Sequence, residues 1–136
     1  MVSSEYYSET LIDHFEHPRN AGPMPDADAE GFVTNPVCGD SMRLFLRIDG
    51  GRVAAASFLT SGCPASIATS SVATEMITGM ALEEAEALTR ERVAEAVGGL
   101  PKSKLHCSVL AAAAVRLAIE AWRGDGAQRR AEEGER

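Results

Sequence analysis

Aromatic side chains make up only 5% of this 136-residue chain, so its core has to be assembled from Ala, Val, Leu, Ile and Met. The length suits one domain with one core. Long apolar runs are lacking as well: none approaches the about 20 residues that span a membrane. The N-terminus, MVSSEYYSET, has no basic segment leading into an apolar one, so no signal peptide is expected. The expectation is a soluble, cytoplasmic protein with no membrane partner. Basic clusters are missing too. The net charge is −7, the pI about 4.9, and the arginines are scattered. A phosphate backbone needs clustered Lys and Arg, which sets nucleic acid aside as a partner.

Cysteine is scarce and odd in number: Cys38, Cys63 and Cys107, with no Cys-x-x-Cys anywhere. A secreted disulfide framework would pair its cysteines. In a reducing compartment, free thiols persist as buried hydrophobes, metal ligands or reactive groups. The gaps of 25 and 44 residues lack the short paired spacing of a structural zinc finger.

The local patterns predict an α+β fold, a small antiparallel sheet with a mainly helical C-terminal half. Tyr6–Glu16 reads as a first helix, with Leu11, Ile12 and Phe15 on one side and His14 and His17 on its surface. Pro18 stops it, and the Gly-, Asn- and Pro-rich stretch to Asp28 is loop. A short extended piece surrounds Phe32–Val33. Met42–Ile48 alternates, with Met42, Leu44, Leu46 and Ile48 on one face and Arg43 and Arg47 on the other, a half-buried strand. Asp49-Gly50-Gly51 is a hairpin turn, and Arg52–Thr60 is the returning strand.

Helix follows from Pro64 to about Ile77, then over Leu82–Ala87 and Arg90–Val97. Ser103 is the expected cap of a last helix that buries Leu110, Ala113, Ala114, Leu117, Ala118 and Ala121 and ends at Gly124. One domain is therefore expected over residues 1–124. The charged tail, 125–136, is expected to be disordered.

Each cysteine sits where core packing does not require one. Cys38 lies in the turn-rich Asn35-Pro36-Val37-Cys38-Gly39-Asp40, Cys63 precedes the helix at Pro64, and Cys107 opens the last helix within Leu105-His106-Cys107-Ser108. Helix N-termini favour thiolate over thiol, which makes Cys63 and Cys107 candidates for low pKa values. Three thiolates fall one short of a stable cluster's set. Asp40, His106 or an outside group would complete it, and a carboxylate is the weaker partner. Such a site can release what it binds. The same donors make a tetrahedral set for Zn²⁺.

These stretches, in order with Tyr7-Ser8-Glu9, Asp13-His14-Phe15, Pro18-Arg19-Asn20-Ala21-Gly22 and Ser61-Gly62-Cys63, resemble the IscU/NifU N-terminal family of iron–sulfur scaffolds across about residues 6–123. The resemblance implies a three-stranded sheet packed with helices, as a monomer or weak homodimer. It makes Cys38, Asp40, Cys63, His106 and Cys107 the assembly site for a transient [2Fe–2S] cluster, with Zn²⁺ an occupant of the cluster-free form. Sulfur would arrive as persulfide from a cysteine desulfurase, with Cys107 as its acceptor. Lys104 is placed to steer that sulfur or pair with Asp40. A frataxin-like protein and a ferredoxin would supply iron and electrons, and acceptor apoproteins would take the product.

Two departures matter. Leu100-Pro101-Lys102-Ser103-Lys104 stands where the bacterial IscU branch carries Leu-Pro-Pro-Val-Lys, the segment gripped by an Hsp70-type chaperone, so that partner is left open. The gap between Cys63 and Cys107 is also too short for the extra segment of the zinc-dependent SufU branch. That weighs against the alternative function, a zinc-dependent sulfurtransferase relaying sulfane sulfur. The expectation is a scaffold and carrier, not an enzyme.

Overall fold

The computed structural model describes residues 7–35 and 39–135, with side chains as far as Gly124. Helix α1 is Glu9–Glu16. Ser8 caps it, its hydroxyl accepting from the Leu11 N–H at 3.0 Å, so the helix opens later than the sequence pattern indicates. Strands β1 (Ala29–Thr34), β2 (Ser41–Asp49) and β3 (Arg52–Ser61) follow, then α2 (Pro64–Ile77), α3 (Leu82–Glu86) and α4 (Arg90–Ala96). A 3₁₀ turn over Lys102–Lys104 runs into α5, Leu105–Glu135.

The sheet is antiparallel throughout, in the order β1-β2-β3. The alternation read from β2 holds: Met42, Leu44 and Leu46 are fully buried, and Arg47 is exposed. Gly50 and Gly51 take positive φ in the turn joining β2 to β3. From β3, Val53, Ala56 and Phe58 join the same core. Helices α2 and α5 pack against the sheet, and α1 packs against α2. This is the α+β architecture expected, with a helical C-terminal half.

One close approach sets the height of α5. A Cβ placed on Gly31 would collide with the Ala114 carbonyl and stand 2.8 Å from the Ala118 nitrogen. Only a residue without a side chain lets the backbone of α5 lie this near β1.

Four expectations need correction. Helix α5 buries Cys107, Leu110, Ala111, Ala114, Val115, Ala118 and Ile119, whereas Leu117 is 40% exposed and Ala121 is also exposed. The larger Val115 and Ile119 turn toward the sheet and rotate the buried stripe by about one position. Ser103 caps nothing, because it lies inside the 3₁₀ turn, where the Lys104 N–H reaches the Pro101 carbonyl at 2.8 Å. Gly124 does not end α5, whose backbone stays helical to Glu135. Gly124, Gly126 and Gly134 each cost only about 1 kcal/mol relative to alanine, and the Ala, Gln, Arg and Glu residues between Gly126 and Gly134 are good helix formers. The side chains of the expected disordered tail, 125–136, lie outside the described residues.

Apolar length is the fourth correction: within Lys102–Gly124 a stretch of 18 residues has mean hydropathy 1.4, long and apolar enough to cross a membrane by length and composition. Half of that window is buried inside the fold, as befits a core helix.

Candidate metal centre

Three elements bring the site together. The β1–β2 connection closes on itself, with the Asn35 N–H donating to the Asp40 carbonyl at 2.8 Å, and it delivers Asp40 to the start of β2. Cys63 is the N-cap of α2, its carbonyl accepting from Ser66 and Ile67, and Pro64 occupies the first turn. Cys107 lies in the first turn of α5, where its carbonyl accepts from the Thr69 hydroxyl at 3.3 Å. That bond ties the helix start to α2.

The resulting cluster is tight. Cys63 Sγ lies 3.8 Å from Cys107 Sγ and 3.6 Å from Asp40 Oδ2. His106 Nε2 stands 3.6 Å from Cys107 Sγ and 3.8 Å from Asp40 Oδ2. Donor atoms of Asp40, His106 and Cys107 all fall within 4.8 Å of one another, close enough to share one metal ion. Of the expected site residues, Asp40, Cys63, His106 and Cys107 converge. Cys38 lies outside the described residues.

The two thiols are not equivalent. Cys63 is partly exposed and its pKa is lowered to about 5. The hydrogen bond from Cys107 contributes most, and against the effect of burial it is joined by the Ser66 hydroxyl and N–H and the charge of Lys104. Cys107 is only 1% exposed and is pushed well up, first by its hydrogen bond to Cys63 and then by burial. Of the low pKa values expected at Cys63 and Cys107, the one at Cys63 is found and the one at Cys107 is not. A helix start favours a thiolate, but two thiols in contact hold one negative charge more readily than two, and the less buried sulfur keeps it.

Asp40 is 7% exposed. Burial raises its pKa, but hydrogen bonds from the Ser66 hydroxyl and from the Cys63 thiol and N–H, with the charge of His106, hold it below its usual value. Lys104 is raised, chiefly by the charge of Cys63, with Tyr7, Cys107 and Asp40 adding to it.

Sequence reasoning missed three features. Tyr7 feels the charges of Lys104, Cys63 and Cys107, and its pKa is raised, foremost by burial. Ser66, 1% exposed, touches Asp40, Cys63 and Cys107 together. Its place three residues after Cys63 on a helix was the available signal. His14, expected on the surface of α1, is 6% exposed; its Nδ1 lies 2.8 Å from Ser71 Oγ and its Nε2 3.4 Å from Glu75. It follows Leu11 by three positions and therefore shares the buried face.

One partly exposed and one buried thiol meeting a carboxylate and an imidazole form a mixed donor set of the kind that can hold a metal ion. The comparisons with known proteins agree. The family model described as the NifU-like N-terminal domain matches residues 6–129. The chain is 55% identical over 113 residues to the iron–sulfur cluster assembly scaffold protein IscU 1 of Archaeoglobus fulgidus, covering 83% of this chain and 74% of that one. It is 44% identical over 117 residues to the IscU scaffold protein of Escherichia coli, covering 83% and 91%. A crystal structure of the N-terminal part of a NifU-like protein from Brucella abortus superposes with a TM-score of 0.72 at 18% identity, covering 89% and 96%, a likeness of fold. The chain belongs to the IscU/NifU family of iron–sulfur scaffold proteins.

Proposed function

We propose that this protein assembles iron–sulfur clusters on the Cys63–Cys107 site and passes them to acceptor apoproteins. The observation that carries the reading is the convergence of Asp40, Cys63, His106 and Cys107 from separate elements into one cluster of donor atoms. Cys38 supplies the third thiolate. The cargo is a [2Fe–2S] cluster, and Zn²⁺ takes its place on the same mixed donor set when no cluster is bound.

Sulfur enters as persulfide. The Cys107 thiolate attacks the outer sulfur of a cysteine desulfurase persulfide, and the desulfurase cysteine leaves as thiolate. Because Cys107 is buried and its pKa raised, docking of the desulfurase has to open the site first. Cys63, the exposed thiolate, is the competitor. A frataxin-like protein and a ferredoxin complete the iron and electron supply in this cytoplasmic pathway.

Anaerobic incubation with ferrous iron, cysteine and a desulfurase tests the reading. Sulfide-to-iron charge-transfer absorption that is lost in Cys38→Ser, Cys63→Ser and Cys107→Ser supports it. Unchanged absorption in all three variants sinks it. Mass spectrometry of trapped persulfide is expected to find the sulfur on Cys107, and its accumulation on Cys63 would move the entry point there.

A further inference from the structure

Ser66 is not a ligand in the reading above, yet its hydroxyl is the point where three site residues meet. It lies 2.5 Å from Asp40 Oδ2, 3.3 Å from Cys107 Sγ and 3.5 Å from Cys63 Sγ. Those partners come from the β1–β2 loop, the first turn of α5 and the cap of α2. At 1% exposure the hydroxyl has no water to turn to.

The proton inventory fixes its direction. A serine hydroxyl has one proton and two lone pairs, and an ionised carboxylate only accepts. The proton therefore goes to Asp40, in a short bond of the charge-assisted kind. The sulfurs, at 3.3 Å and 3.5 Å, are the more distant competitors for that proton. Once they bind metal their lone pairs are engaged there, and the hydroxyl is left with Asp40 alone.

A carboxylate that already accepts a strong hydrogen bond is less basic and has less electron density to give a metal. From this geometry we propose that Ser66 is a positioning residue that competes with the bound metal for the Asp40 carboxylate and so keeps Asp40 an exchangeable partner. It rests on the assembly-site reading above. Ser66 acts through Asp40: its hydroxyl holds the carboxylate turned toward the sulfurs and weakens that carboxylate's grip on what they carry. Release is easier with the hydroxyl than without it.

Co²⁺ provides the probe, because its thiolate charge-transfer and ligand-field bands report the donor set without iron, desulfurase or acceptor. The full-length protein is loaded with Co²⁺ without oxygen, and metal loss to a chelator is timed for wild type, Ser66→Ala, Ser66→Thr, Asp40→Ala and the Ser66→Ala/Asp40→Ala double variant. A hydrogen bond to a charged group predicts that Ser66→Ala releases Co²⁺ roughly tenfold more slowly, with shifted ligand-field bands. Ser66→Thr, which keeps the hydroxyl, should release near the wild-type rate. In the Asp40→Ala background the serine substitution should change nothing, since the group it acts through is gone.

Release from Ser66→Ala at or above the wild-type rate, or an equal effect with and without Asp40, overturns the proposal. Wild-type protein lacking thiolate charge-transfer bands would instead sink the site reading beneath it.

Discussion

Gly62 lies so close to the Asp40 carboxyl group that a Cβ built on it would stand 2.7 Å from Asp40 Cγ and 2.9 Å from Oδ1. The residue before Cys63 must be small because a carboxylate from the β1–β2 loop occupies its side-chain space. Gly62→Ala should therefore push Asp40 out of the site rather than unfold the chain. Its Co²⁺ affinity is expected to fall to that of Asp40→Ala, with a melting temperature within a few degrees of wild type. Titration and thermal melts check both, and a wild-type affinity would mean that the loop absorbs the methyl.

Thiol reactivity should follow exposure and charge, not helix position. In metal-free protein, Cys63 should alkylate well ahead of Cys107, because it is both accessible and ionised down to about pH 5. Its rate should drop below that pH, while Cys107 stays slow throughout. Timed alkylation followed by peptide mass spectrometry reads both sites, and faster modification of Cys107 would refute the assignment of charge.

His14 makes the fold sensitive to mild acid. Burial, foremost, and the Arg19 charge lower its pKa from the ordinary 6.5, against the pull of Glu75 and Asp13, so the folded state prefers the neutral ring. The stabilisation this gives is complete above the unfolded value of 6.5 and is lost as pH falls toward the lowered folded value. Each pH unit in that window removes at most about 1.4 kcal/mol. Chemical denaturation from pH 7 to pH 5.5 should show this slope, and His14→Gln should flatten it. An equal slope in both proteins would assign the effect elsewhere.

Metal removal should lower thermal stability. The donors sit on the β1–β2 loop, α2 and α5, so an ion bound only by the folded state ties three elements together. At a free metal level one hundred times Kd the gain is about 2.7 kcal/mol. A melting temperature unchanged after verified chelation would show that the site forms without regard to folding.

Much of this was legible beforehand. The alternation of Met42–Ile48, the Gly50-Gly51 turn and the proline after Cys63 each act through neighbouring backbone, so local sequence sufficed for β2, the hairpin and α2. The buried stripe of α5 was harder, because its alanines suit either side and only Val115 and Ile119 decide. Ser66 looked like one more small residue in a Ser- and Thr-rich helix. Its role exists only once Asp40 and Cys107 arrive from 26 residues before it and 41 after it. The charge on the thiol pair was misread for a similar reason: helix ends are visible in sequence, whereas contact between two sulfurs is not.

Gly31 gives the site a remote adjusting screw. Ala114 lies seven residues beyond Cys107, about 10 Å along the helix, and it rests directly on this glycine. Gly31→Ala would jack α5 away from the sheet at that point, at about 1–3 kcal/mol for overpacking, and the tilt would be felt at the helix's other end as a wider gap between the two sulfurs. The expected result is weaker Co²⁺ binding from a substitution that touches no ligand. On this expectation the spacing of the thiol pair depends on a residue with no side chain, on a strand that supplies none of the site's sulfurs.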